Sequence, residues 1–176
     1  MIAQPERDRV AEPSVPEIQL RDAPEGELHL RFYVPSGREF ALPATGIKEV
    51  VIQSPQMITS VPNVSFLLLG TMNLRGQVIW VADLGQFLGE GVGVTAERSE
   101  LPVIAIEQNE IMVGLAVEGI IGMDWLDAEE LTQASEQLPE IMAAFVRGEW
   151  ATPRTERPLR LLDPSAILRS SRWSAG

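Results

Sequence analysis

The sequence predicts a mainly β protein of two small barrels with short peripheral helices, related by an internal repeat. Three observations point there. Apolar and polar residues alternate at period two, as in Leu28, Leu30, Phe32 and Val34 against His29, Arg31 and Tyr33. Turn-forming residues such as Pro35-Ser36-Gly37 and Gln108-Asn109 follow such segments closely. The chain also repeats itself: Phe40-Ala-Leu-Pro-Ala-Thr-Gly-Ile47 lines up with Val113-Gly-Leu-Ala-Val-Glu-Gly-Ile120, an offset of 119 − 46 = 73 at the glycines. Phe145-Val146-Arg147-Gly148 echoes Asn73-Leu74-Arg75-Gly76 at 147 − 75 = 72, and Leu159 to Asp163 echoes Val78 to Asp83. Shared order and near-constant offset imply two copies of one strand-turn-strand-loop-strand module.

Residues 1–26 carry Pro5, Pro13, Pro16 and Pro24 among charges, too little apolar area to offset ordering, and read as a disordered tail. The first strand begins at Glu27, and Glu39 to Pro43 and Lys48 to Ile52 supply two more. Asn63 is placed to cap a short helix through Leu69 that ends at Gly70. Val78 to Ala82 is a continuous apolar run, hence a central strand, and Asp83-Leu84 starts a helix through Leu88. Gly91 to Glu100 connects the copies. The second copy opens with Val103 to Ile106 and returns through Ile111 to Val117 as a hairpin. Asp127 with Glu130 resembles a capping box, Pro139 opens a helix running to Val146, and Asp163-Pro164 caps and starts a last helix from Ser165 to about Ser170. The first barrel is expected over about 38–100 and the second over about 101–160, with the terminal strand and helices crossing between them and a tail at 171–176.

Composition excludes several kinds of chemistry. With no cysteine there is no disulfide, thiolate metal site or cysteine nucleophile. The one histidine, His29, has no motif-borne nucleophile near it and reads as a surface or sheet-face residue. The one lysine, Lys48, leaves no phosphate-loop or Schiff-base candidate, and Glu129, Glu130 and Glu136 read as a solvated face. A non-enzymatic protein without cofactor, metal or nucleotide is expected. A net charge of −11 disfavours nucleic acid and anionic lipid, and no apolar run suits a membrane span or a secretory signal, so a soluble protein is expected. Residues 147–172 reverse the sign, with six arginines against three acids, as either a salt-bridged terminal region or a docking patch for an acidic partner.

Asn73-Leu74-Arg75-Gly76, followed by Val78-Ile79-x-Val81-x-Asp83-Leu84, resembles the signature of the CheW family of chemotaxis adaptors, and the similarity runs from about Gly26 to Ser170. Phe40 to Pro43, Ile47 to Val50, Val61-Pro62-Asn63 and Val113 to Val117 support it. The resemblance implies two SH3-like β subdomains in a coupling protein that links the cytoplasmic hairpin tips of chemoreceptors to the regulatory domain of a CheA-type histidine kinase. It implies a cytoplasmic location, with recruitment to membrane receptor arrays. It places receptor binding at Ile47, Glu49, Gly70, Arg75 and Met123, and structural roles at Asn73, Leu74, Gly76, Asp83, Arg147 and Gly148.

The residues leave alternatives open. Ile47 and Met123 suit a core as well as a contact, and the five donors of Arg75 suit a buried brace as well as a partner. Gly76 and Gly148 answer to backbone geometry, by positive φ or close approach. Trp80 and Gly85 stand where many members have proline and arginine, and Glu118 where aspartate is frequent. The wording from Gln77 to Gly89 is closest to adaptors of twitching or phototaxis systems. Against the coupling adaptor stand a single-partner kinase-regulatory or decoy module of the same fold and a small-molecule-binding barrel.

Overall fold

The computed structural model describes residues 25–134, 137–151 and 157–174. Except for its last two residues, the tail expected over 1–26 lies outside them. The strands are β1 (Glu27–Tyr33), β2 (Glu39–Pro43), β3 (Ile47–Gln53), β4 (Leu68–Leu74), β5 (Gln77–Asp83), β6 (Leu101–Gln108), β7 (Ile111–Ala116), β8 (Gly119–Leu126), β9 (Val146–Trp150) and β10 (Leu159–Leu162). Among the described residues three short α-helices join them: α1 (Leu84–Phe87), α2 (Glu140–Ala143) and α3 (Pro164–Leu168).

The strands form two five-stranded sheets, ordered β8-β1-β2-β10-β9 and β3-β6-β7-β5-β4. These orders are one topology written twice. Strands β1 to β5 map onto β6 to β10, and each copy contributes its first hairpin to the other copy's sheet. Hairpin β1-β2 joins β8, β9 and β10, while β6-β7 joins β3, β4 and β5. Each sheet therefore draws strands from both sides of the connector. The match extends to detail, since β10 runs parallel to β2 as β5 does to β7. The pairings of β3 with β6 and of β8 with β1 both slip by one residue, at Lys48 and at Ile121, which are 73 positions apart (121 − 48 = 73).

Exchange of hairpins makes the largest apolar cluster a shared one. Leu30, Phe32, Phe40 and Leu42 of one sheet pack with Ala82, Ile104, Ile106 and Leu115 of the other, capped by Phe87, Met142, Phe145 and Ile167 from the helices and their flanks. Each sheet also curls around a cluster of its own, Met72, Ile79, Val81 and Val103 in one and Ala41, Trp150, Leu159 and Leu161 in the other. His29 is buried, not on the surface; its Nδ1 bonds the Glu27 carbonyl at 2.7 Å and its ring meets Trp150 edge-on at 5.4 Å.

Local chemistry sets the boundaries. Asp83 accepts from the Gln86 N–H and starts α1; Asp163 accepts from the Ala166 N–H and starts α3, with Pro164 at the first helical position. Arg75 (φ 50°) and Gly76 (φ 84°) form a two-residue type I′ turn between β4 and β5, as Asn109 (φ 52°) and Glu110 (φ 65°) do between β6 and β7.

Several expectations need correction. Asn63 to Leu69 is not a helix: Asn63 is left-handed (φ 61°), the wrong region for an N-cap, and Leu68 already lies in β4. The helix after Pro139 is a single turn, because Val146 is drawn into β9. After Asp127 there is a 3-10 turn, Ala128–Glu130, with the Asp127 carboxylate accepting from the Glu129 N–H. Strand β8 was not read from the sequence. Strand β5 lies inside its sheet, but Val78 and Trp80 face outward and keep exposure.

The echo of Arg75-Gly76 in Arg147-Gly148 is also shifted. The Asp83 N–H donates to the Leu67 carbonyl and the Asp163 N–H to the Phe145 carbonyl, each at 2.9 Å, which equates Phe145 with Leu67 and therefore Gly148 with Gly70 (145 − 67 = 148 − 70 = 78). A Cβ on Gly70 would strike the Thr59 carbonyl, and one on Gly148 would lie 2.6 Å from the Thr132 carbonyl oxygen. Thr59 and Thr132 are themselves equivalent, each bridging the outer side of its sheet's last strand, Thr59 to Thr71 and Thr132 to Glu149.

Candidate functional site

The motif Asn73 to Gly76 is the tip of the β4-β5 hairpin. The Asn73 Oδ1 accepts from the Gly76 N–H at 2.9 Å, which fixes the turn, and Leu74 is buried under it. The turn leaves Arg75 pointing into solvent, its side chain 77% exposed. Its Nε and Nη2 donate to the two carboxylate oxygens of Glu49, each at 2.8 Å. Glu49 belongs to β3 and Arg75 follows β4, the two opposite edges of one sheet, so this fork clasps the edges of the curled sheet together. The hydrogen bond from Arg75 holds the Glu49 carboxyl below its usual range, and the bond to Glu49 raises Arg75 above its own. Arg75 is thus an exposed clasp and not a buried brace.

Ile47, at the start of β3, is half-buried against the shared core. Gly70 is buried with φ 146° beneath the Thr59 carbonyl, so its role is backbone approach. Met123 lies on β8 of the other sheet, 51% exposed. The structure thus brings Glu49 and Arg75 into contact, keeps Ile47 on the same strand as Glu49, and sets Met123 on the equivalent edge strand of the second sheet.

That equivalence exposes residues that motif reading missed. Val50 and Ile52 on β3 are the counterparts of Met123 and Trp125 on β8 (123 − 50 = 125 − 52 = 73), and all four are exposed, by 37%, 54%, 51% and 49% in that order. Carrying the repeat offset three residues past Ile47 and Ile120 would have found them. Each of the two edge strands thus presents two apolar side chains to solvent.

The remaining motif residues are structural. Asp83 is 1% exposed, and burial lifts its carboxyl above the usual range, partly offset by main-chain N–H groups of Val94, Gln86 and Gly85. Its bond to the Val94 N–H, at 2.9 Å, ties down the connector between the copies. Arg147 pairs with the helix-capping Asp163 at 3.0 Å. Among the described residues no cluster of three or more histidines and carboxylates suits a metal ion, and no helix is long and apolar enough to cross a membrane.

Comparison with known proteins agrees with this architecture. Residues 29–172 match the CheW-like domain family. The chain is 30% identical to the protein PilI of Pseudomonas aeruginosa over 134 residues, covering 74% of this chain and 70% of that one. The crystal structure of the scaffolding protein TtCheW from Thermoanaerobacter tengcongensis superposes with a TM-score of 0.66 at 21% identity, over 84% of this chain and 95% of that one, and shows the same fold. The chain belongs to the CheW-like family of non-enzymatic adaptors.

Proposed function

We propose that this protein couples the cytoplasmic hairpin tips of chemoreceptors to the regulatory domain of a CheA-type histidine kinase. The similarity to PilI supports a taxis-like pathway controlling pilus-driven motility. The observation that carries the reading is the pair of equivalent edge strands, each with two exposed apolar side chains, Val50 with Ile52 and Met123 with Trp125, beside the Glu49–Arg75 clasp. An amphipathic receptor hairpin has the apolar face such a surface fits.

Ile52→Asp and Met123→Asp test it, because a carboxylate desolvated against an apolar helix face has no partner to offset its cost. Both side chains are about half exposed, so the fold should hold. Titration of each variant with a soluble receptor hairpin fragment should show affinity reduced about tenfold or more. Wild-type affinity in both would remove these strands from the receptor surface. A decoy or single-partner role would appear as binding to receptor or kinase alone.

A further inference from the structure

The duplication gives the space between the sheets two equivalent ends. Arg160 on β10 stands beside Phe40 on β2 just as Trp80 on β5 stands beside Val113 on β7, and Arg38 is the counterpart of Ile111 (111 − 38 = 73). The first end is lined by ions. There Arg38 meets Glu90 at 2.8 Å, and buried Arg160 meets buried Glu149 at 3.6 Å. At the other end Leu68, Trp80, Ile111, Val113, Leu168 and Trp173 wall an apolar groove of about 490 Å³. Trp80 and Ile111 remain 38% and 54% exposed, hydrated apolar area that a ligand's apolar side chain would take out of water.

Two arginines that border this groove in sequence are paired differently from six other basic residues. Arg31, Arg38, Lys48, Arg75, Arg98 and Arg147 each meet a carboxylate. Arg169 and Arg172, next in sequence to the lining residues Leu168 and Trp173, instead bond main-chain carbonyls, of Ser165 and Gln86 respectively, each at 3.4 Å. Trp173 is held in place, stacked on Phe87 at 4.3 Å and donating from Nε1 to the Ile167 carbonyl at 2.7 Å. In a chain of net charge −11, two arginines with no carboxylate partner among the described residues thus border a preformed apolar concavity.

We infer that this groove is a docking site for a partner protein segment that carries a bulky apolar anchor flanked by carboxylates. The anchor fills the space between Trp80 and Trp173, and the flanking acids neutralise Arg169 and Arg172. None of Ile47, Glu49, Gly70, Arg75 and Met123 lines the groove, so this surface is separate from the one assigned to receptor tips and stands whether or not that assignment does.

Panning a random dodecapeptide phage library on the immobilised full chain tests the inference without presupposing the partner. Enriched peptides should share an aromatic or leucine anchor beside Asp or Glu. A synthetic copy of the strongest should lose about tenfold in affinity on Ile111→Asp, a change at an exposed site whose fold is checked by circular dichroism. Arg169→Glu should weaken the same peptide, and replacing the peptide's acids with lysine should restore binding to that variant. Enriched peptides that lack acids, bind Ile111→Asp as tightly as the parent, or show no charge-reversal rescue would overturn the proposal, as would an absence of enrichment.

Discussion

At one end of the space between the sheets stand Arg160 and Glu149; at the other, in the same two positions of the repeat, stand Trp80 and Thr71. At the ionic end both charges are buried and face each other at 3.6 Å, so they serve the interior of the fold. The apolar end is open, and Trp80 there keeps over a third of its surface in water. A duplicated scaffold can thus commit one copy of a position to holding the fold and leave the other for recognition.

The largest expected effect breaks the ionic end. Arg160→Ala removes a buried guanidinium from beside the buried Glu149 carboxylate and should cost about 3–5 kcal/mol in denaturant melts. Trp80→Ala, at the equivalent position, should cost only about 1–2 kcal/mol, since much of its area is already hydrated. Equal losses would erase the distinction between the ends. Next come the glycines that define the register of the repeat. Gly70→Ala and Gly148→Ala each drive a Cβ into a crossing main-chain carbonyl and should each cost roughly 2–3 kcal/mol. Gly76→Ala meets nothing within 4 Å and should lose only about 1 kcal/mol, for its positive φ. If Gly76 and Gly148 proved alike and Gly70 mild, the alignment by Arg-Gly letters would be right and the one by hydrogen bonds wrong.

A smaller effect is expected at the buried helix-capping Asp83. Because burial raises the Asp83 pKa, the native state keeps a proton that the unfolded chain has released just above the ordinary value of 3.8. Over that window stability falls as pH rises, and Asp83→Asn should flatten this part of the profile of melting temperature against pH. The smallest change in stability is expected at the clasp: Arg75→Ala should leave the melt near that of the parent, because exposed ion pairs contribute little. Its effect should appear in receptor binding, where Arg75→Lys, which keeps charge but loses the fork, should fall between the two.

What was legible in the sequence was local. Alternation marked β1, and the apolar runs of β2, β3, β5, β6 and β7 stood out between turn residues, as did both aspartate caps. Strand β4 was misread because Phe66-Leu67-Leu68-Leu69 after Asn63 suits a helix, and only pairing with β5 through the Arg75-Gly76 turn makes it extended. Strand β8 was passed over because Gly119 and Gly122 interrupt its pattern, while β1 supplies the partner that orders it. The hairpin exchange left no local trace, being a matter of which distant strand each edge meets. The clasp was half legible: the motif named Glu49 and Arg75 separately, and only the curl of the sheet joins them. The exposed apolar pairs on β3 and β8 were within reach of the repeat offset but not of any motif.

The central claim is that one molecule holds receptor and kinase at once. Light scattering of the chain mixed with a receptor hairpin fragment and the kinase regulatory domain measures this directly. The account predicts a ternary species with the summed mass of all three, which Ile52→Asp reduces to the chain–kinase pair. Binary complexes that exchange one partner for the other, with no ternary mass at saturating concentrations of both, would contradict it.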